Sequence, residues 1–270
     1  MPASTRVITL LTDFGLKDHF VSAMKGVMLG VNPDLNFVDI THSIPPQDIR
    51  SAAFTLSQTY PYFPPNTVHL AVVDPGVGSA RKAIAVSAGN QFFVGPDNGI
   101  LTYVLEGEAD AVVYEITADH YFRKPVSSTF HGRDIFAPAA AWITRNISLF
   151  QIGPPLKNPV RLALPQVKRL NEKLLQAAIL AVDHFGNLIT NLKPEDLPAY
   201  GKPSSGACKI VTPQKKEITS FRSTYAEGNE GELFVLPGST GYLEIVMRNG
   251  SAASSLGLSS GSIIGVVLSS

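Results

Sequence analysis

The chain is 270 residues long, with 44% hydrophobic and 16% charged residues, a composition that excludes disordered and fibrous proteins and allows one large or two modest domains. Lys plus Arg and Asp plus Glu both number 22, so we expect no general electrostatic attraction to nucleic acid or to an anionic membrane. The one cysteine, Cys208, excludes an internal disulfide and a zinc site built from several thiolates.

The first half of the chain alternates short apolar runs with stretches of helical periodicity. The runs predict a buried strand at 7–11 and further strands at 37–40, 68–73, 83–87 and 91–94. The periodicity predicts helices at 19–31, 49–60, from Gly99 and at 136–143. The order strand, helix, strand, helix, strand at its start is typical of an α/β domain with a mainly parallel central sheet.

Proline and glycine interrupt both periodicities near residues 152–166, which indicates a change of domain. We assign residues 1–160 to the α/β domain, 161–175 to a linker and 176–270 to a second domain. Strand-like runs recur in this second domain between Gly, Asn and Ser residues. They lie at 177–182, 188–192, 207–211, 232–236, 242–247 and 262–268. The pattern predicts a smaller all-β, barrel-like domain, with a loop at the serines after Gly250.

The sequence carries no sign of targeting or of a metal site. Residues 1–5 show no basic segment followed by an apolar core, and the run 7–11 is far too short to cross a bilayer. The histidines His42, His69 and His120 are scattered, and no spacing suggests metal ligands. We therefore expect a cytoplasmic protein that needs no metal and no cofactor.

Two polar clusters directly follow predicted strands, which is where ligands bind in open α/β sheets. The first contains Asp13 and Asp18. A carboxylate there could bind a ribose diol, or the two acids could cap the turn and the next helix. The second joins Asp74 to Arg81 across a loop rich in proline and glycine, and this pair could equally brace the turn. The loop lacks the Gly-Lys-Ser/Thr ending of a nucleotide phosphate loop.

Two more clusters stand before the Ala-rich helix and at the start of the second domain. His131 has a side-chain pKa near neutral, which suits proton transfer, whereas Asp134 beside it could simply cap the helix. Asp183, Phe185 and Asn187 group a carboxylate, an aromatic face and an amide. Such a set could hold an amine, a base ring and a base edge, but a plain turn explains the same residues equally well.

Together these clusters form a series of motifs in a fixed order. They are Thr-Asp-Phe-Gly at 12–15, Val-Asp-Pro-Gly-Val-Gly at 73–78, Gly-Pro-Asp-Asn-Gly at 95–99, Phe-His-Gly-Arg-Asp-Ile-Phe-Ala-Pro at 130–138, Asp-His-Phe-Gly-Asn at 183–187 and Gly-Tyr-Leu-Glu-Ile at 241–245. With these motifs the chain closely resembles the S-adenosylmethionine hydroxide adenosyltransferases over residues 7–268. That family is related to fluorinating and chlorinating enzymes that act on the same substrate.

The resemblance implies an α/β domain, a β-barrel-like domain, and a homotrimer that holds S-adenosylmethionine and adenosine between subunits. It implies that Asp74, Arg81 and His131 form the catalytic set. The implied substrate-binding residues, which contact the ribose, the methionine amine and the adenine, are Asp13, Asp18, Asp183, Phe185, Asn187, Ser239, Tyr242 and Arg248.

Three positions differ from the halogenating relatives. Asp74 stands where they carry a tyrosine of the halide pocket, and Gly132 stands where they carry a serine. An acid repels a halide but suits a water molecule that must lose a proton. Thr240 lies near the place of an arginine in those enzymes, which leaves the contact with the methionine carboxylate open.

We therefore predict hydrolysis of S-adenosylmethionine to adenosine and methionine, through attack of an activated water on the ribose 5′ carbon. Arg81 stays protonated and stabilises developing negative charge, while Asp74 or His131 takes the proton. The alternatives are a halogenase on the same fold, a non-catalytic adenosine or S-adenosylmethionine sensor, and a metal-dependent phosphohydrolase.

Overall fold

The computed structural model describes residues 6–197 and 208–268. The chain divides into two compact units, Met1–Leu162 and Ala163–Ser270. Each unit has a hydrophobic core of its own, as expected of separate domains.

Within residues 6–162, the first unit contains a six-stranded, mainly parallel sheet. Its strands are β1 (Val7–Thr12), β2 (Asn36–Thr41), β3 (Val68–Val72), β4 (Ala83–Ala88), β5 (Gln91–Pro96) and β6 (Val112–Glu115). They lie in the order β2-β1-β3-β5-β4-β6, and β4 runs antiparallel to both of its neighbours. This sheet confirms the predicted α/β class, although β6 has no counterpart among the predicted strands.

Helices cover both faces of the sheet, at α1 (Phe20–Val31), α2 (Ile49–Ser57), α3 (Thr102–Gly107), α4 (Ala137–Ile143) and α5 (Leu149–Ile152). Because side chains alternate along a strand, Leu10 packs with α1 and α4 while Leu11 packs with α2 on the other face. Helix α2 ends at Ser57, before the predicted residue 60, and a short 3₁₀ turn that contains Pro61 follows at Tyr60–Tyr62. In the described part of the chain, no helix has the length and apolar character needed to cross a membrane.

One histidine lies in the core of the first unit. His69 on β3 contacts Thr9 Oγ1 through Nδ1 (2.8 Å) and Gln91 Oε1 through Nε2 (3.1 Å). Its ring stacks on Phe93 with the centroids 4.9 Å apart. Burial lowers the pKa of His69 to about 4, so this imidazole is neutral in the folded protein near neutral pH.

The second unit contains, within residues 163–197 and 208–268, eight antiparallel strands. They are β7 (Lys168–Asn171), β8 (Leu174–Val182), β9 (Leu188–Thr190), β10 (Cys208–Val211), β11 (Glu217–Ile218), β12 (Leu233–Pro237), β13 (Leu243–Met247) and β14 (Ile263–Leu268). The order is β11-β10-β14-β8-β9-β13-β12, with β7 paired to β8. A bridge between Phe221 and Val235 brings the two ends of this order together. The nearly closed sheet confirms the predicted barrel-like, all-β domain.

Three local features differ from the sequence expectations or extend beyond the described residues. The segment 161–175, predicted as a linker, contains β7 because residues 168–171 pair with β8. The serines after Gly250 form helix α6 (Ala252–Leu256) instead of a loop, since the Ser251 side chain accepts a hydrogen bond from the backbone N–H of Ser254 and caps the helix. Ala207, the first residue of a predicted strand, lies outside the described residues.

Candidate active site

Two loops that carry predicted site residues lie at one edge of the first sheet. Asp13 directly follows β1, and Asp74 lies two residues after the end of its parallel neighbour β3. Arg81 lies two residues before β4, whose start is paired with the end of β5. Carboxyl ends of parallel strands meet at the same edge of a sheet, so the fold places these loops where ligands bind in open α/β sheets.

The structure brings Asp74, Arg81 and His131 into direct contact, and we call them the triad. Two nitrogens of Arg81 donate hydrogen bonds to the Asp74 carboxylate. Nε lies 2.9 Å from Oδ1, and Nη2 lies 2.5 Å from Oδ2. The same Nη2 lies 2.8 Å from Nδ1 of His131. The Arg81 and Asp74 side chains are only 11% and 6% exposed, so water screens the ion pair little.

The hydrogen bonds of Arg81 determine the protonation of His131. A guanidinium has donors and no acceptor, so His131 Nδ1 accepts and the ring proton of the neutral imidazole resides on Nε2. Burial and the Arg81 cation lower the pKa of His131 below its ordinary 6.5, against the opposite effect of Asp74. The triad is therefore an ion pair next to a neutral imidazole that donates through Nε2.

The two loops that carry the triad touch each other. Gly78 has a φ of +77°, and a Cβ at this position would lie 2.4 Å from the carbonyl oxygen of Ser128. Only glycine tolerates both the backbone conformation and the contact. From the opposite side, Asn98 donates a hydrogen bond of 2.8 Å to the carbonyl of Val73, the residue before Asp74. The position of Asp74 is thus fixed from both flanks of its loop.

Asp134 holds together the loop that precedes His131. Its fully buried carboxylate accepts bonds from Arg133 Nε (2.7 Å), from the backbone N–H of Ser127 (2.9 Å) and from Arg123 Nη1 (3.2 Å). Although burial opposes ionisation, these bonds lower the pKa of Asp134. Asp134 stands in a π-helical turn, Gly132–Phe136, that leads into α4, and its side chain reaches back to the loop instead of capping the helix.

Asp13 and Asp18, both predicted to bind substrate, have different surroundings. Asp13 is half-buried and accepts a 2.8 Å hydrogen bond on Oδ2 from the backbone N–H of Gln47. Asp18 is exposed, and the N-cap position of α1 belongs to His19, which makes no side-chain cap. Helix capping therefore does not explain Asp18, and the substrate-binding role of both acids stays a prediction.

The second unit contains a cavity of about 750 Å³, a size typical of small-molecule sites. Four of the predicted substrate-binding residues line it, together with five that no sequence pattern singled out as binding side chains. The lining consists of Asp183, Phe185, Asn187 and Arg248 from the prediction and of Tyr225, Ala226, Met247, Asn249 and Gly250. Ser239 and Tyr242 are not in this lining; they lie in the turn between β12 and β13.

Polar side chains of this cavity are partly engaged with the protein itself. Asp183 Oδ1 accepts the backbone N–H groups of Phe185 (2.9 Å) and Asn187 (2.8 Å), and Oδ2 accepts the Asn187 amide (2.8 Å). Arg248 Nη1 donates to the carbonyl of Gly228 at 2.7 Å. The turn at 183–187 is thus rigid, and it leaves the Phe185 ring 74% exposed beside the cavity.

Comparisons with known proteins show which family the chain resembles over most of its length. The model of the SAM hydroxide adenosyltransferase N-terminal domain matches residues 8–153, and that of the C-terminal domain matches residues 177–265. The chain is 40% identical to an (R)-S-adenosyl-L-methionine hydrolase of Salinispora tropica over 96% of this chain and 97% of the relative. It is 26% identical to a fluorinase of Actinopolyspora mzabensis over 98% of each. The crystal structure of an uncharacterized conserved protein from Thermotoga maritima is similar with a TM-score of 0.88 and 38% identity, covering 96% of this chain and 99% of that one.

Proposed function

The chain belongs to the family of the SAM hydroxide adenosyltransferases, and we propose on that basis that it hydrolyses S-adenosyl-L-methionine to adenosine and L-methionine. The observation that carries the proposal is the contact of Asp74 with Arg81 and of Arg81 with His131. The higher identity to the hydrolase of Salinispora tropica than to the fluorinase supports water as the nucleophile.

The reaction needs a nucleophile in line with the carbon–sulfur bond, and it does not need an acid to protonate the leaving group. The sulfonium of the substrate is a permanent cation, so methionine departs as a neutral thioether without being protonated. A water oxygen forms a bond to the ribose 5′ carbon as the carbon–sulfur bond breaks, and the water loses one proton. Orienting the reactants can contribute roughly 7–11 kcal/mol, and a positioned base contributes about 100- to 10,000-fold in rate.

Within the triad we assign the proton to Asp74. His131 Nδ1 is occupied by Arg81, so the ring offers the water an N–H donor on Nε2 and no acceptor. The Asp74 carboxylate keeps acceptor capacity beyond its bonds to Arg81, since two carboxylate oxygens offer about four lone-pair sites. Arg81 holds both groups in place, His131 orients the water, and Asp74 accepts its proton.

The proposed substrate contacts follow the family resemblance. Asp13 binds the ribose diol with Asp18 nearby. In the second unit, the cavity takes the adenosine end: the exposed Phe185 ring offers an aromatic face, and the amide of Asn187 offers a base contact. Asp183 attracts the methionine ammonium. Contacts from Ser239, Tyr242 and Arg248 complete the proposed set.

The proposal extends to assembly, location and cofactors. We infer a homotrimer with substrate held at the subunit interfaces, located in the cytoplasm, in keeping with the family resemblance. Light scattering at about three times the 28.9 kDa chain mass is the result that this assembly requires. The chemistry asks for no metal or other cofactor, because the leaving group is already activated.

Hydrolysis in water labelled with oxygen-18 tests the proposed reaction. The protein is incubated with each sulfur epimer of S-adenosylmethionine, and the products are measured by mass, with chloride, fluoride or EDTA added in parallel arms. We expect label in the adenosine 5′ hydroxyl, an equal amount of methionine, and no effect of EDTA.

Each other outcome identifies a rival. A 5′-halo-adenosine indicates a halogenase, and binding without any product indicates a sensor. Loss of activity with EDTA indicates metal chemistry. Adenosine formed without label refutes attack of water on the 5′ carbon.

A further inference from the structure

One side of the cavity in the second unit is a short segment without strand or α-helical structure, which we call the wall segment, Tyr225–Gly228. A 3₁₀ turn covers Tyr225–Glu227, and both Tyr225 and Ala226 line the cavity. Gly228 packs so closely on the Phe234 ring of β12 that a Cβ there would lie 2.3 Å from it. The wall segment therefore lies directly against one face of the barrel sheet.

A buried acid fixes the aromatic side chain of this segment. Glu244 on β13 is 5% exposed, and its Oε2 accepts a 3.0 Å hydrogen bond from the Tyr225 hydroxyl. Leu243 and Ile245 on either side belong to the barrel core, so strand alternation directs Glu244 to the opposite face, under the wall segment. Gly238 makes room for the carboxylate, because a Cβ at that position would lie 1.9 Å from Oε1.

Burial of the Glu244 side chain costs free energy. Burial raises the pKa of Glu244, with the negative charge of Asp183 acting in the same direction and the Tyr225 bond acting against both. Burial, and then Glu244 itself, raise the pKa of Tyr225 to about 12, so the phenol remains a donor. An apolar residue of similar volume would fill the same place at less cost in free energy. Unlike an apolar residue, Glu244 fixes the direction of the Tyr225 side chain through their hydrogen bond. Tyr225 is 50% exposed and lines the cavity.

We propose that Glu244 is a positioning residue for purine binding, which acts by holding the Tyr225 ring as an aromatic wall of the cavity. The inference rests on the proposed function, because it takes the adenosine end of the substrate as the occupant. A ring with a fixed orientation loses little conformational freedom when a base stacks on it, and pre-organisation of this kind strengthens binding. Without its acceptor, the ring must be ordered at the expense of binding free energy.

Adenosine binding and steady-state kinetics with S-adenosylmethionine test this role in four variants. Tyr225→Phe removes only the hydroxyl, Glu244→Gln keeps an acceptor, and Glu244→Leu removes it; Tyr62→Phe is the matched control on a well-exposed tyrosine of the first unit. We expect the Kd for adenosine and the KM to rise about tenfold in Tyr225→Phe and in Glu244→Leu, a typical loss for one hydrogen bond. Glu244→Gln and the control should stay within about threefold of the original chain.

The double variant Tyr225→Phe with Glu244→Leu separates positioning from general destabilisation. If the two residues act through their mutual bond, its Kd matches that of either single variant, whereas independent effects multiply. Multiplying effects, or an unchanged Kd in Tyr225→Phe, overturn the inference. Tyr225→Phe alone decides the matter if Glu244→Leu does not fold. An original chain that binds no adenosine and releases none from S-adenosylmethionine contradicts the proposed function instead.

Discussion

Arg81 joins the other two residues of the triad. One guanidinium contacts both oxygens of Asp74 and the Nδ1 of His131, and its Cζ lies over the Phe136 ring, 5.1 Å from the centroid. Lysine could supply the charge but not the fork of donors in fixed directions. The residue thus sets the geometry of the two groups beside it as well as the charge.

Substitutions at Asp74 and His131 distinguish the base from the orienting group. Asp74→Asn keeps the size of the side chain but removes the proton acceptor, so we expect kcat to fall at least about 100-fold. His131→Asn retains an N–H donor and should fall only about tenfold. Glu106→Gln, at an exposed acid, is the control and should leave kcat unchanged. Equal losses at the two triad positions would contradict the assignment of the proton to Asp74.

At the scale of elements, the triad depends on two loops that touch at one backbone contact. Asp74 and Arg81 come from the loop between β3 and β4, and His131 comes from the loop before α4. The close approach of Gly78 to Ser128 and the Arg81–His131 bond join the same two loops. A small separation of the loops would therefore disrupt the proposed catalytic geometry without changing a side chain of the triad.

Gly78→Ala tests this dependence. The new methyl group would meet the Ser128 carbonyl, push the loops apart and lower kcat by about 10- to 100-fold, since misplacement near 1 Å can cost that much. Gly261→Ala is the matched control: its φ of +84° imposes similar backbone strain, and nothing lies within 4 Å of the added atom. The control should lose about 1–2 kcal/mol of stability and no activity. Equal kcat values in the two variants would show that activity does not depend on the contact between Gly78 and Ser128.

Most helices and strands of the first unit can be predicted from the sequence, whereas some features of the second unit cannot. Apolar runs and helical spacing predict β1 to β5 and α1, because the apolar residues of each element recur within a few positions of one another. Asp74 and Arg81 are also predicted as candidate site residues, because they lie close together in the sequence in a loop that directly follows a predicted strand. Helix α6 is not predicted because its serines favour turns as well as helix ends, although the cap by Ser251 is a local feature. Glu244 lies in a motif visible in the sequence, but its partner Tyr225 is 19 residues away in an irregular segment.

At the scale of the molecule, the buried Thr9–His69–Gln91 network links stability to pH. The pKa of His69 is about 4 in the folded chain, against an ordinary 6.5, because burial disfavours the charged ring. Between these values the unfolded chain binds a proton that the folded chain does not. The contribution is therefore fully present above pH 6.5 and is lost as the pH falls towards 4.

Unfolding in urea measures this contribution. Between about pH 7.5 and pH 5 the free energy of unfolding should fall by about 2 kcal/mol more in the original chain than in His69→Gln, which does not titrate there. His120→Gln, at an exposed histidine, is the control and should follow the original chain. If His69→Gln loses as much stability on acidification as the original chain, His69 is not the titrating group.

The donor-only character of Arg81 also has a consequence for turnover. A guanidinium does not give up its protons in proteins, so Arg81 cannot pass a proton between Asp74 and His131. If Asp74 takes the proton as proposed, the arginine cannot relay that proton to the imidazole, and Asp74 must release it directly before the next turnover.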